Sequence, residues 1–336
     1  MGILKKIENH AIVKKLSDTA FFRDTLNGST LSILVSYIAI CIVFSIMSPN
    51  FFRMGNFQSI GLAAAVTGIM AAGVTVPMLM AGLDLSQHAV AALTTVITAK
   101  LVVEQNVPMA AAIPMVLMVG ILFGMFNGLL IAVFRIPPMI ATMGSQYIVR
   151  GICYGLTSSR AMIFQHDLLR WIGRGRILGI PNSMLIMILV FLILSYVLNM
   201  TTYGRKVYSV GSNMHASFLA GISPVAIQMV AYAIAGLSSA IGGIVIVSQV
   251  GAAVPNAGVG SEMEIIAAVF LGGVATTGGR GSLFGTLLGV LVICTINNGL
   301  ILIGVKSFWT TLVRGLVILI AVYIDSIRKH REESGK

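Results

Sequence analysis

Charge is what this chain has least of. Asp and Glu together number 11 and Lys and Arg 22 in 336 residues, so charged side chains make up 10% of the sequence. The surface of a soluble domain carries far more, and with 57% hydrophobic residues and a mean hydropathy of +0.96 there is too much apolar surface for such a domain to hide. Cysteine is equally sparse. Cys41, Cys153 and Cys294 all lie in apolar stretches and share no disulfide or metal-ligand spacing, which leaves them to packing. Sustained alternation of polar and apolar residues is missing too, and without it a membrane β-barrel is excluded. The first 28 residues, with Lys5, Lys6, Lys14, Lys15 and Arg23, are too long and too polar for a signal-peptide n-region, and no small-x-small cleavage site follows the first apolar run.

What is present is a series of apolar stretches rich in Leu, Ile, Met and Ala. A hydrocarbon core about 30 Å thick takes about 20 helical residues per crossing, and only internally hydrogen-bonded backbone crosses it. The stretches predict spans at 29–48, 58–80, 86–103, 109–133, 138–157, 181–200, 224–249, 262–276, 283–304 and 308–325. The expected fold is all-α, a polytopic membrane protein of about ten transmembrane helices. Its parts are a tail at 1–28, a transmembrane domain at 29–327 and a second tail at 328–336. Arg135, Arg205, Lys206, Arg280 and the basic residues of both tails fall on one side and outnumber those on the other, which puts both termini in the cytoplasm. Topology thereby accounts for most of the +11 net charge.

Arg160, Arg170, Arg174 and Arg176 run against this bias, sharing one outer loop. Such a patch suits an acidic partner or a short amphipathic helix resting on anionic headgroups. On the inner side the longest polar interval is 201–223, where Gly204 and Gly211 break the chain and Asn213 offers a cap for a short helix at 214–219. A helix held between two spans is a handle for a soluble partner. In the stretch 272–289, Gly273 and Gly278 have P-loop spacing, but Gly279 and Arg280 replace the lysine and the hydroxyl residue, so nucleotide binding is rejected. Gly281, Gly285 and Gly289 recur every four residues and predict close helix packing instead.

Few ionisable groups reach bilayer depth. Asp84, with Ser86 and His88, either lines a polar path or caps the third span. Glu262 and Glu264 sit at an outer mouth, as a solvated face or a docking surface. Asn127, Asn297 and Asn298 are read as amide links between helices. Glycines spaced by four before an Asn-Gly occur at 120–128 and again at 285–299, each followed by an Arg-Gly pair (Arg150-Gly151, Arg314-Gly315), which hints at internal duplication. No Ser-Lys or paired-Asp site of an intramembrane protease is found within the spans.

Five strings carry a resemblance: AGLDLS (81–86), NGLLIAVFRIPPMIATMGSQYIVRG (127–151), GRKVYSVGSNMHASFLAGI (204–222), EIIAAVFLGGVATTGGRGSLFGTLLG (264–289) and NNGLILIGVKSFWTTLVRGLVILIAV (297–322). In this order they resemble the ribose/xylose-type sugar permeases of ABC importers, across essentially the whole chain after the N-terminal tail. The chain departs from that pattern at Gln87-His88, where a small glycine-containing segment is usual, and at Pro138-Met139, where Pro-Phe is usual. The resemblance implies a type II ABC importer permease in the inner membrane of a bacterium. It implies a second permease copy, identical or paralogous, an ABC ATPase subunit, and an extracytoplasmic sugar-binding protein. ATP and magnesium would sit on the ATPase, with no cofactor in this chain. Coupling to the ATPase is carried over to Gly211, Asn213, Ala216, Gly221 and Ile222, within the segment 201–223. Asp84, Ser86 and Asn127 become the expected path residues, and Arg170, Arg174, Arg176 and Glu262 the expected docking residues. The solute implied is a pentose or hexose, with autoinducer-2, nucleosides or branched-chain amino acids as alternatives within the same machinery. An ion-coupled secondary transporter is the rival of another class.

Overall fold

A computed structural model describes residues 28–306 and, beyond them, 308–313, 315–316, 319 and 323. The expected tails at 1–28 and 328–336, residue 28 apart, lie outside these, as do Arg314 and much of the expected span 308–325. The chain enters through α1 (Gly28–Met47) and α2 (Met54–Met78). Next comes α3 (Gln87–Ala99), continued by a π-helical turn at Lys100–Glu104, and then α4 (Met109–Gly128), continued likewise at Leu129–Val133. Pro138 opens α5 (Pro138–Thr157) at the one helical position where its missing N–H costs nothing. Outside the long helices, α6 (Asp167–Arg174) is followed by α7 (Asn182–Met200), the polar pair α8 (Thr202–Ser212) and α9 (Met214–Leu219), α10 (Pro224–Val250), α11 (Glu262–Leu271) and α12 (Leu283–Leu302).

Among the described residues, strand is confined to two-residue pairings. β1 (Met162–Ile163) runs antiparallel to β4 (Ala252–Ala253), and β2 (Arg176–Ile177) to β3 (Ile180–Pro181). Leu178 and Gly179 both take positive φ between β2 and β3, the geometry of a tight hairpin turn.

Among the described residues, six helices are long and apolar enough to cross a membrane: α1, α2, α4 with its π turn, α7, α10 and α12. The expected spans at 86–103, 138–157 and 262–276 form helices too, but α3 is shorter before its π turn, α5 carries Gln146 and Arg150, and α11 ends at Leu271. The most enclosed spans are α2 and α10, which pack on each other. Around them the packing is reciprocal: α4 and α3 lie on α10, while α12 and α11 lie on α2. The glycines of the first patterned segment dock α4 on the central α10, whereas Gly285 and Gly289 of the second face α11, so the two segments pack against different kinds of neighbour.

Without a hydrophobic force between helices in lipid, close approach of backbones supplies the packing. A methyl group at Gly124 would collide with the Tyr232 carbonyl, and one at Gly120 would lie 2.5 Å from the Gly236 carbonyl oxygen. Gly285 and Gly289 face the carbonyls of Gly272 and Ala268, joining α12 to α11. Gly281, expected on the same face, lies ahead of α12 in the turn, with φ of 145° and Val274 against it. Its role is to let the chain turn.

Candidate functional site

Three polar regions stand out from this apolar frame. The first is the insert 201–223. Thr201 caps α8, and Asn213 ends α8 and starts α9: its N–H donates to the Ser209 carbonyl at 3.0 Å while its Oδ1 accepts from the Ala216 N–H at 2.9 Å. At the other end of α9, Gly221 takes φ of 81° and donates to the Phe218 carbonyl, and Ile222 donates to the Ser217 carbonyl, both at 3.0 Å. That pair of bonds is a Schellman closure, which needs a residue free to adopt left-handed backbone. A Ser209–Ser217 hydroxyl bond of 2.8 Å folds α9 back on α8. Half-buried Tyr203 Oη donates to the Ile227 carbonyl at 3.3 Å, and desolvation raises its phenol above the usual tyrosine range.

Of the five residues expected to couple, Asn213, Gly221 and Ile222 thus bound α9, and Ala216 is exposed on it. Gly211 differs: it is turned inward, against the Leu79 carbonyl and the Gly279 N–H. Phe218 and Leu219, 64% and 73% exposed, make α9 a short helix with an uncovered apolar face. Sequence reading did not single them out, although two large apolar residues inside a polar interval were the available signal.

The second region joins Asp84, Ser86 and Asn127. Asp84 is 1% and Asn127 0% exposed. Asp84 Oδ1 accepts from the Ser86 N–H at 2.8 Å and from the Ser86 hydroxyl at 2.6 Å, and Ser86 Oγ accepts from Asn127 Nδ2 at 2.8 Å. Gln87 Nε2 reaches the Asp84 carbonyl. From α5, Thr142 Oγ1 accepts from the Leu85 N–H at 3.2 Å and donates to the Pro138 carbonyl at 2.9 Å. Asp84 therefore closes a local turn around Ser86, the residue that flanks α3, and ties it to α4 and α5. A small apolar cavity of about 130 Å³ lies alongside, lined by Leu83, Leu85, Met139, Met263, Ile266, Ala267 and Phe270. None of the three polar residues lines it. His88, the fourth polar residue of that stretch, is buried elsewhere, against Gly258.

The third region lies at the strand-bearing end. Arg170, Arg174 and Arg176 are exposed on α6 and β2, with α6 seated on the end of α10 through Gly173. Arg174 reaches the Gln249 carbonyl at 3.4 Å. Glu262 is not part of this surface. It is 8% exposed, accepts from Gln146 Nε2 and from the Gly260 N–H, both at 2.9 Å, and faces the Arg150 guanidinium at 3.9 Å. Arg150 in turn donates to the carbonyls of Pro255 and Ala257 at 2.9 and 2.7 Å. A charge at bilayer depth is retained only with partners, and sequence separation of more than one hundred residues hid this pairing. Glu264, which accepts from Asn297 Nδ2 at 3.4 Å, links α11 to α12.

A family model described as branched-chain amino acid transport system / permease component matches residues 56–322. The chain is 37% identical over 298 residues to the ribose import permease protein of Escherichia coli K12, covering 87% of this chain and 92% of that protein. It is 32% identical over 329 residues to the D-allose transport system permease protein of the same organism, covering 97% and 99%. To the fructose import permease protein of Rhizobium meliloti it is 35% identical over 294 residues, covering 84% and 81%. No solved structure matches.

Proposed function

This chain belongs to the branched-chain amino acid transport system / permease component family, and on that premise we propose that it is the membrane subunit of an ATP-binding-cassette importer that carries a monosaccharide inward. It is a multi-pass inner-membrane transport component and not an enzyme. The observation that carries the substrate class is the end-to-end similarity to permeases named for ribose, allose and fructose. Branched-chain amino acids remain the second reading, since the family description names them.

In this account about ten helices cross the membrane, both termini lie in the cytoplasm, and α9 meets a separate ATPase that holds ATP and magnesium. Asn213 and the Gly221–Ile222 closure hold α9 as a compact handle, Ala216, Phe218 and Leu219 form its contact, and Gly211 anchors it from behind. Two permease copies, identical or paralogous, enclose the path. The bare outward face of α5, with Ile140, Tyr147 and Ile148 exposed, supports a second copy there. Asp84, Ser86 and Asn127 hold the wall of that path. On the outer side Arg170, Arg174 and Arg176 receive acidic groups of a sugar-binding protein, while Glu262 fixes the loop behind them. Direction follows from the different affinity of each nucleotide state for the outward and inward conformations.

Mild solubilisation of the chain with its ATPase tests this reading. The ATPase should co-purify and be lost on Ala216→Glu; full retention of the ATPase and of transport in that variant would refute the assignment of α9.

A further inference from the structure

The insert and the Asp84 region meet at one point. Gly279 donates its N–H to the Leu79 carbonyl at 2.8 Å, so the turn ahead of α12 is bonded to the last residue leaving α2. Three glycines make the approach possible. A methyl group at Gly278 would lie 2.8 Å from the Ala81 nitrogen, one at Gly279 would lie 3.0 Å from Ser212 Cα, and one at Gly211 would lie 2.7 Å from the Gly279 nitrogen. Gly278 and Gly279 both have φ of 77°, which side chains disfavour. Tyr208 of α8 donates its hydroxyl to the Gly281 carbonyl at 2.9 Å, closing the junction from the other side. Leu79 itself is wholly buried, and Thr75 and Thr286, with hydroxyl oxygens 3.0 Å apart, tie α2 to α12 one turn away.

What leaves this junction is the segment 79–86. Ala81 bends it with φ of 58°, the Gly82 N–H is held by the Pro77 carbonyl at 2.9 Å, and four residues later the chain is pinned to α4 and α5 through Ser86–Asn127 and Leu85–Thr142. A displacement of α8 therefore has no slack to disappear into before it reaches the cavity wall formed by Leu83 and Leu85. We propose that Tyr208, Gly278 and Gly279 are positioning residues, which pass movement of the α8–α9 handle through Leu79 to segment 79–86 and so to the path. The inference rests on the reading of α9 as the ATPase contact. It adds the internal route by which that contact acts, carried by a bonded, close-packed chain of elements and not by mere proximity.

The test uses the complete complex of this chain, its ATPase and its binding protein in proteoliposomes, comparing Gly279→Ala and Tyr208→Phe with the unmodified protein. Both variants should retain the ATPase and hydrolyse ATP at the basal rate. Sugar moved per ATP hydrolysed should fall by about two- to thirty-fold, the range that coupling residues span, with Gly279→Ala the more severe. Tyr208→Phe keeps the ring and its packing, so it reports on the bond to Gly281 even where Gly279→Ala misfolds. An unchanged ratio in Tyr208→Phe and in folded Gly279→Ala would overturn the inference alone. So would a loss of basal hydrolysis in step with uptake, the mark of a merely structural role. Failure of the unmodified chain to retain the ATPase would remove the earlier reading and this inference with it.

Discussion

Two buried polar clusters meet successive turns of one face of α5, and they are built on opposite plans. Around Thr142, the Asp84–Ser86–Asn127 group starts from a local Asp84–Ser86 turn and reaches α4 and α5 through short bonds between neutral amide, hydroxyl and backbone groups. Around Gln146 and Arg150, the second group draws Glu262 and the carbonyls of Pro255 and Ala257 from more than one hundred residues away. The first shapes a turn that local sequence already favours; the second holds a long loop to a helix by charge. Their common effect is to fix the inner face of α5 while its outward face stays bare. The helix is thereby attached both to the α2–α3 turn and to the loop after α10.

The sharpest way to break the comparison is Arg150→Ala. It leaves the Glu262 carboxylate buried and two loop carbonyls without their donor, for which a loss of about 3–5 kcal/mol is expected. Thermal unfolding of the detergent-solubilised chain should show it, and Arg150→Leu combined with Glu262→Leu should recover part of the loss. Asn127→Ala should cost less, about 1–3 kcal/mol in the same assay, because a neutral donor is removed from a buried bond. Equal losses in the two variants would erase the distinction between the clusters.

Much of this was legible in the chain itself. The long apolar runs yielded α1, α2, α4, α7, α10 and α12 because lipid demands uninterrupted helix. Asn213 marked the start of α9 because a capping amide followed by a short helix is local chemistry. Glu262 was misplaced for the opposite reason. Sequence alone leaves it at an outer mouth, as a solvated face or a docking surface, and only the folded chain brings Arg150 and Gln146 to it. Gly281 fits the four-residue spacing of Gly285 and Gly289, yet the helix begins after it, since Ser282 caps α12 by accepting from the Gly285 N–H at 3.1 Å. The span expected at 262–276 stops at Leu271 because Gly273 takes φ of 86° and turns the chain out of the helix, toward the Leu79 junction made by Gly279. Asp84, expected either to cap the third span or to line a path, binds Ser86 beside the start of α3 without capping the helix itself.

Smaller effects sharpen the contrast between pinned and exposed surfaces. Asn213→Ala removes the side-chain acceptor for Ala216 and should destabilise α9 by about 1 kcal/mol. Faster hydrogen exchange confined to the amides of 214–219 would register it. On the bare face of α5, nothing lies within 4 Å of where a methyl group at Gly144 would stand. Gly144→Ala should therefore stabilise the isolated chain slightly, by up to about 1 kcal/mol through helix propensity. Any weakening seen only at concentrations where two copies associate would assign that face to the partner copy.

The central claim is that this chain opens and closes a path but takes its energy from a separate ATPase. The direct measurement is uptake of radiolabelled ribose, allose and fructose into proteoliposomes, with and without the ATPase and binding protein. Uphill accumulation of one of these sugars should require both partners and ATP. Uphill accumulation by the chain alone, driven by an ion gradient, would contradict the account.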